Sequence, residues 1–319
     1  MSLTLPANTI VTDVGGTHIR FGLWDGRQIT HIEKWPVTTF RSFDEALTRY
    51  QNITGYDGKD IAIATAAWPD ADGVWHFAHD GRWPIRPHTL RAHGWTIHKM
   101  LNDFQASSLG AVQSDLTPLT DIAATPYNRD CLVVGPGTGL GLACVRRTDP
   151  GDHVQESFGG HMAIGAQTAD QYNIIESLTR LHGKLPVYED VISGKGLQAL
   201  YRIVSGTDDD ILTILNDDET SAASAALTQT CDLFHDFLGL FIQQAAVFHH
   251  AFGGIFLDGG VTHILHNKQM LDIPKLQSVI MNIHAAPVVT DALSRMPVYV
   301  INDPFIALSG LISGTSENA

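Results

Sequence analysis

Two stretches of this chain share one design, and together they constrain the fold more than any other feature. Asn8–Trp24 (NTIVTDVGGTHIRFGLW) reads as a strand, a tight glycine turn and a second strand. Ile10, Val11 and Val14 lead into the turn, while Ile19, Phe21 and Leu23 alternate on the way out. Cys131–Val145 (CLVVGPGTGLGLACV) repeats the pattern, and the two can be laid over one another at Gly16-Thr17 and Gly137-Thr138. One such hairpin needs no more explanation than its turn geometry. A matched pair points to two related lobes facing a shared cleft.

Both turns suit an anion. Glycines such as Gly15 and Gly16 can take positive φ and let backbone come close to a ligand. Backbone N–H groups in such a turn can cradle a phosphate, and the Asp13 carboxylate and Thr17 hydroxyl suit Mg²⁺.

Between and beyond the hairpins the periodicity alternates between strand and helix. The sequence predicts a strand over 28–37, a helix over 42–50 with Ser42 as N-cap and Glu45 at N3, and a strand buried on both faces over 60–67 (DIAIATAA). Residues 68–87 read as a long irregular loop. A strand over 96–101 leads to Asn102-Asp103-Phe104, followed by a helix over 105–112. In the second half, helices are expected over 169–181, with Ile174, Ile175, Leu178 and Leu181 on one face, over 197–204 after Ser193-Gly194-Lys195-Gly196, and over 220–249. Residues 208–218 read as an acidic surface excursion. Residues 253–261 (GGIFLDGGV) form a strand into a glycine turn, 298–303 a last strand, and 304–313 a helix packed back across the lobe junction. This order implies α/β lobes with mixed sheets.

Composition excludes several functions. With a net charge of −14 and no basic run, the chain is a poor nucleic-acid binder. The most apolar helical stretch, 233–248, is interrupted by His235, Asp236, Gln243 and Gln244, so a buried helix is expected rather than a membrane span. Met1–Asn8 has no signal-peptide pattern, and three cysteines without zinc spacing fit a reducing compartment, so a cytoplasmic protein is expected.

The series DVGGT (13–17), NDF (102–104), GPGTGLG (135–141), GGH (159–161), ESLTR (176–180), YEDVISGKGL (188–197) and FLDGGV (256–261) resembles bacterial-type glucokinase, in order and spacing, across nearly the whole chain. The absent Cys-rich zinc motif separates it from the repressor and open-reading-frame branch of sugar kinases. The resemblance implies the actin-like (Hsp70-like, ribonuclease H-like) sugar kinase superfamily, with two α/β lobes of mixed sheets flanked by helices and with ATP and sugar in the cleft. The small lobe would take residues 1–104, joined by 304–319, and the large lobe 105–303. It also implies ATP- and Mg²⁺-dependent phosphorylation of the 6-hydroxyl of glucose. Asp103 would be the catalytic base, with Asn102, His161 and Glu189 as sugar binders. Asp13, Val14, Gly15, Gly16, Thr17, Gly137 and Thr138 would serve phosphate, Asp13 the metal, and Gly259 and Gly260 the adenosine side. Taken alone, Asn-Asp is more often a turn or a helix N-cap.

The resemblance breaks at two places. Its Gly-Glu-Gly-Gly-His pattern reads Ser157-Phe158-Gly159-Gly160-His161 here, so Phe158 stands where a sugar-binding glutamate is expected, and Glu156 could replace it only if the loop shifts. The first-lobe loop that usually presents Asn before Trp reads His79-Asp80-Gly81-Arg82-Trp83. A different hexose or sugar derivative is therefore the alternative acceptor, and a weakly catalytic sugar- or nucleotide-responsive binding protein the alternative class. An exposed apolar surface on the second lobe would support a homodimer.

Overall fold

The computed structural model describes residues 5–77, 83–122, 124–148, 151–216 and 225–312, with the Glu156 side chain also outside the description. Its residues divide into two compact units: 1–115, 147–154 and 303–319 form one, and 116–146 and 155–302 the other.

The first unit is built on a five-stranded sheet in the order β3-β2-β1-β4-β7, with β1 Thr9–Val14, β2 His18–Trp24, β3 Ile29–Pro36, β4 Asp60–Thr65 and β7 Thr96–Asn102. β1 pairs antiparallel with β2 and parallel with β4, which pairs parallel with β7. The two faces of this sheet carry side chains of different size. Ile10, Ile61 and Ile63 join Phe21, Phe43, Leu47 and Tyr50 in one core, where the Phe21 and Tyr50 rings stack at 4.9 Å. Val11, Ala62 and Ala64 face the opposite way, toward Ala106, Leu308 and Leu311. Two helices, Asp103–Gln113 and Ile306–Ile312, share this alanine side.

Those two helices meet through glycines. A methyl group on Gly310 would overlap the carbonyl of Ala106, and one on Gly110 would overlap the carbonyl of Ile306. The terminal helix is held again at its far end, where buried Lys99 donates from Nζ to the Leu311 carbonyl at 3.0 Å. Burial pushes that ammonium down to about 8.

The second sheet has the order β10-β9-β8-β11-β12, with β8 Cys131–Pro136, β9 Leu140–Arg147, β10 Asp152–Ser157, β11 Gly254–Leu257 and β12 Val298–Val300. β8 pairs antiparallel with β9 and parallel with β11, which pairs parallel with β12. The two sheets thus correspond strand by strand in order, and the two glycine hairpins occupy equivalent places. The Ala225–His249 helix buries Phe234, Phe237 and Phe241 in the core of the second unit.

Several elements differ from the sequence expectation. Residues 68–87 are not irregular throughout: β5 Ala67–Pro69 pairs with β6 Trp75–Phe77, and a helix spans Pro87–Ala92. Residues 79–82 lie outside the described residues. Within the acidic stretch, Ile211–Asn216 is a helix, and Leu181 is exposed rather than buried with Ile174 and Leu178. The 105–112 helix begins two residues earlier, at Asp103, because Asn102 and Gln105 form a reciprocal cap. Similarly, the 197–204 helix begins at Gly194. Its Gly196 is required by packing, since a Cβ there would lie 2.6 Å from the Val191 backbone.

His235 gives this core a measurable pH response. The ring is 1% exposed, its Nδ1 lies 2.6 Å from the Cys231 carbonyl, and its Nε2 accepts from the Asp272 N–H at 3.0 Å. Both contacts are satisfied only by the neutral ring with the proton on Nδ1. Burial holds its pKa below the ordinary histidine value. The unfolded chain therefore binds a proton that the folded chain refuses, and stability falls as pH drops from about 7 to 5. Thermal unfolding across that range should show a downward slope that His235→Gln reduces. Equal slopes would remove His235 from the account.

Candidate active site

In the first unit the sheet register assembles the candidate residues. Val14 on β1 pairs with Thr65 on β4, which pairs with Asn102 on β7. The Asp13–Thr17 turn and Asn102-Asp103 therefore emerge at the same, carboxyl end of three parallel strands, where α/β sheets bind ligands. The turn is a hairpin closed by Gly15 N–H donating to the His18 carbonyl at 2.9 Å. Neither Gly15 nor Gly16 has a positive φ, contrary to the expectation. What Gly16 provides is open backbone, since a Cβ there would meet nothing within 4 Å. Asp13 is 6% exposed, and its Oδ2 pairs with Arg20 Nη1 at 2.7 Å across the β1–β2 ladder. Val14 is buried and offers a ligand no side chain; its carbonyl accepts from Ala66 N–H.

Asp103 is the first residue of its helix. Phe104 N–H donates to Asn102 Oδ1 at 3.0 Å and to Asp103 Oδ1 at 2.8 Å. Asn102 is buried, and its Nδ2 reaches the Thr65 carbonyl at 3.4 Å. Its amide is thus engaged at both ends, tying the start of the Asp103 helix to β4.

In the second unit Leu140 is the hub. Its N–H donates to Glu189 Oε2 at 2.8 Å, and its carbonyl lies against Gly160, where a Cβ would come within 2.5 Å. Gly160 and His161 belong to the short 3₁₀ turn Gly159–His161. The next residue, Met162, accepts from Tyr188 N–H at 3.1 Å, and Ala163 bridges to Val187. These contacts bring exposed His161 and half-buried Glu189 onto the same framework. A carboxylate has several acceptor positions, so the bond to Leu140 orients Glu189 without exhausting it. Phe158 precedes the turn, 71% exposed, with its ring centroid 6.3 Å from that of His161.

The phosphate-type turn lies immediately before Leu140. Gly137 N–H donates to the Gly139 carbonyl at 2.8 Å, and the Gly137 carbonyl accepts from Gly194 N–H at 2.8 Å, where Ser193 caps the Gly194–Ser205 helix. Gly259 comes against the same turn with φ +89°, and a Cβ there would overlap the Pro136 carbonyl. Gly260 opens the Gly260–Asn267 helix. Only glycine satisfies both demands at 259. The structure therefore gathers Gly137, Thr138, Gly259, Gly260, Glu189 and His161 in one unit, and Asp13–Thr17 with Asn102 and Asp103 in the other.

Two contributors escaped the sequence reading. The Leu140 backbone carries no side-chain signal, and it binds Glu189 across 49 residues. Ser193 does carry one, a Ser three residues before Gly196 N–H, but the glycines around it mask the helix start.

Among the described residues no three His, Cys, Asp or Glu side chains are placed to hold a metal ion, and no helix is long and apolar enough to cross a membrane.

Comparison with known proteins gives the chain its family. The Glucokinase family model matches residues 10–317. A glucokinase from Chelativorans sp. (strain BNC1) is 30% identical, over 95% of this chain and 89% of its own length. Among solved structures, a glucokinase from an Antarctic psychrotroph superposes with a TM-score of 0.80 at 24% identity, covering 95% of this chain and 97% of the other. A glucokinase from Balamuthia mandrillaris, solved in complex with glucose, gives 0.75 at 20% identity, covering 95% and 92%. The last two show that this chain shares their fold. With a family match running almost from end to end, the chain belongs to the glucokinase family.

Proposed function

We propose that the protein transfers the γ-phosphoryl group of ATP to the 6-hydroxyl of glucose, the first step of glucose breakdown in the cytoplasm. Family membership over residues 10–317 carries this reading. Asp103 takes the proton from the attacking hydroxyl, and Asn102 binds a sugar hydroxyl while its capping bond fixes the helix that presents Asp103. His161 and Glu189 hold sugar hydroxyls. The Gly137-Thr138 turn and the Asp13–Thr17 turn receive phosphate oxygens, and Gly259-Gly260 the adenosine side.

Magnesium fits this donor set. It is commonly held by one or two carboxylates with substrate phosphates and water completing the shell, so no all-protein cage is needed. Asp13, at a strand end beside an open turn, is the carboxylate for it, and the ion would neutralise charge on the phosphates.

Phe158 favours a second reading of the acceptor. A ring with this exposure beside His161 supplies apolar surface and no acceptor for a hydroxyl. ATP-dependent ADP release across a hexose panel tests both readings. In the same assay Phe158→Glu should raise kcat/KM for glucose roughly ten- to hundredfold, the size of one hydrogen bond to a charged group. No ATP-dependent turnover on any hexose would overturn the kinase reading. An unchanged glucose KM in Phe158→Glu would point to Glu156, two residues earlier in the sequence, or to a different substrate.

A further inference from the structure

The Gly259-Gly260 turn carries an ionisable pair that the phosphoryl-transfer chemistry does not use. Asp258 follows β11, and its own N–H is fixed to the Val134 carbonyl at 2.9 Å. Its Oδ1 accepts from Gly259 N–H at 2.7 Å and lies 3.3 Å from His263 Nε2. His263 sits one turn into the Gly260–Asn267 helix, and its N–H donates to the Gly259 carbonyl at 3.0 Å. The same Nε2 lies 2.5 Å from the carbonyl of Ile301, just past the end of β12. Both partners of Nε2 are acceptors, so that nitrogen carries a proton in every state of the ring. His263 therefore ties the glycine turn to the neighbouring strand whether neutral or charged.

Charge is what changes with protonation. The Asp258 carboxylate occupies the Gly259 N–H and places a negative charge at a turn proposed to face a polyanionic nucleotide. An imidazolium 3.3 Å away offsets that charge; a neutral ring does not. Among the described residues, the charged group paired with His263 is Asp258, and the chain just past β12 contributes the Ile301 carbonyl. Consistent with this, the Asp258 hydrogen bond, the largest influence, raises the His263 pKa above its ordinary value.

We propose that His263 is a positioning residue that tunes nucleotide affinity, its protonated ring neutralising Asp258 at the Gly259-Gly260 turn. The inference rests on that turn being the adenosine side of the proposed kinase site. It concerns binding of ATP rather than the transfer step.

The experiment is the pH profile, from 6 to 9, of KM for ATP and of ATP binding measured directly by calorimetry. Wild-type affinity should weaken by about two- to fivefold as pH rises, the scale of one half-exposed charge pair. His263→Gln keeps a donor toward Ile301 but cannot charge, so it should stay at the weak, high-pH value throughout. Asp258→Asn removes the charge to be offset, so it should stay at the tight, low-pH value. Titration of ATP itself is common to all three proteins. A merely structural role predicts that both variants weaken together, and that result, or three parallel profiles, overturns the proposal. Parallel profiles with intact sugar phosphorylation sink this inference alone. Opposed profiles with no phosphorylation sink the kinase reading and leave this one standing. Absence of any ATP binding removes both.

Discussion

Asp103→Asn is expected to lower kcat by about 10²–10⁴, the usual contribution of a positioned general base. Asparagine is nearly isosteric and keeps the Oδ1 that accepts from Phe104 N–H, so the start of the Asp103–Gln113 helix should be preserved. What disappears is a group able to take the proton of the attacking hydroxyl. Binding of ATP, measured by calorimetry, should be unchanged, and so should the unfolding temperature. Turnover near the wild-type rate would show that the hydroxyl loses its proton elsewhere. Loss of ATP binding as well would indicate a folding defect, and would leave the assignment to be decided by Asp103→Glu, which retains a carboxylate at a different reach.

The second large effect concerns stability. Gly310→Ala would ordinarily favour a helix by about 1 kcal/mol. Here the added methyl meets the carbonyl of Ala106, and backbone has no rotamer by which to move aside. The two helices would have to separate, opening the contact at Gly110 against Ile306 as well. Overpacking of this kind costs about 1–3 kcal/mol and sometimes more, so destabilisation should outweigh the propensity gain. Because the partner helix begins at Asp103, kcat should fall along with the unfolding temperature. Ser309→Ala, one residue away and half-buried, serves as the control. A Gly310→Ala protein that melts at the wild-type temperature would contradict the close crossing of these helices.

Much of the fold was legible because its signals are local. The run DIAIAT announced a strand buried on both faces, and β4 is buried from Ile61 to Thr65. The two glycine hairpins announced a duplication that the matching strand orders bear out. Candidate residues were legible where a motif carried them, as at Asp103. Their surroundings were not. Leu140 acts through its backbone, His263 meets Ile301 across 38 residues, and Gly110 and Gly310 look like ordinary helix breakers until the chain brings them together. The Asn102–Gln105 cap could have been read, being an Asn with Gln three residues later, but an Asn-Asp pair reads equally well as a turn. Leu181 failed for the opposite reason. Its periodicity extended the apolar face into a last helical turn that solvent covers.

The first unit is assembled from three separate lengths of chain, and this sets an order on the ribosome. Its sheet is encoded within the first 102 residues, yet the second of the two helices on its alanine face begins only at Ile306. Lys99 and its acceptor Leu311 are 212 residues apart. At about 5–20 residues per second, the nascent sheet waits roughly 10–40 s for its cover. During that interval Val11, Ala62 and Ala64 present an apolar surface with no helix from the chain's far end to shield it. Substitutions in the Ile306–Ile312 helix should therefore register as lower soluble yield, through capture of the half-finished sheet by chaperones or by other nascent chains, before they register in the properties of the protein that survives.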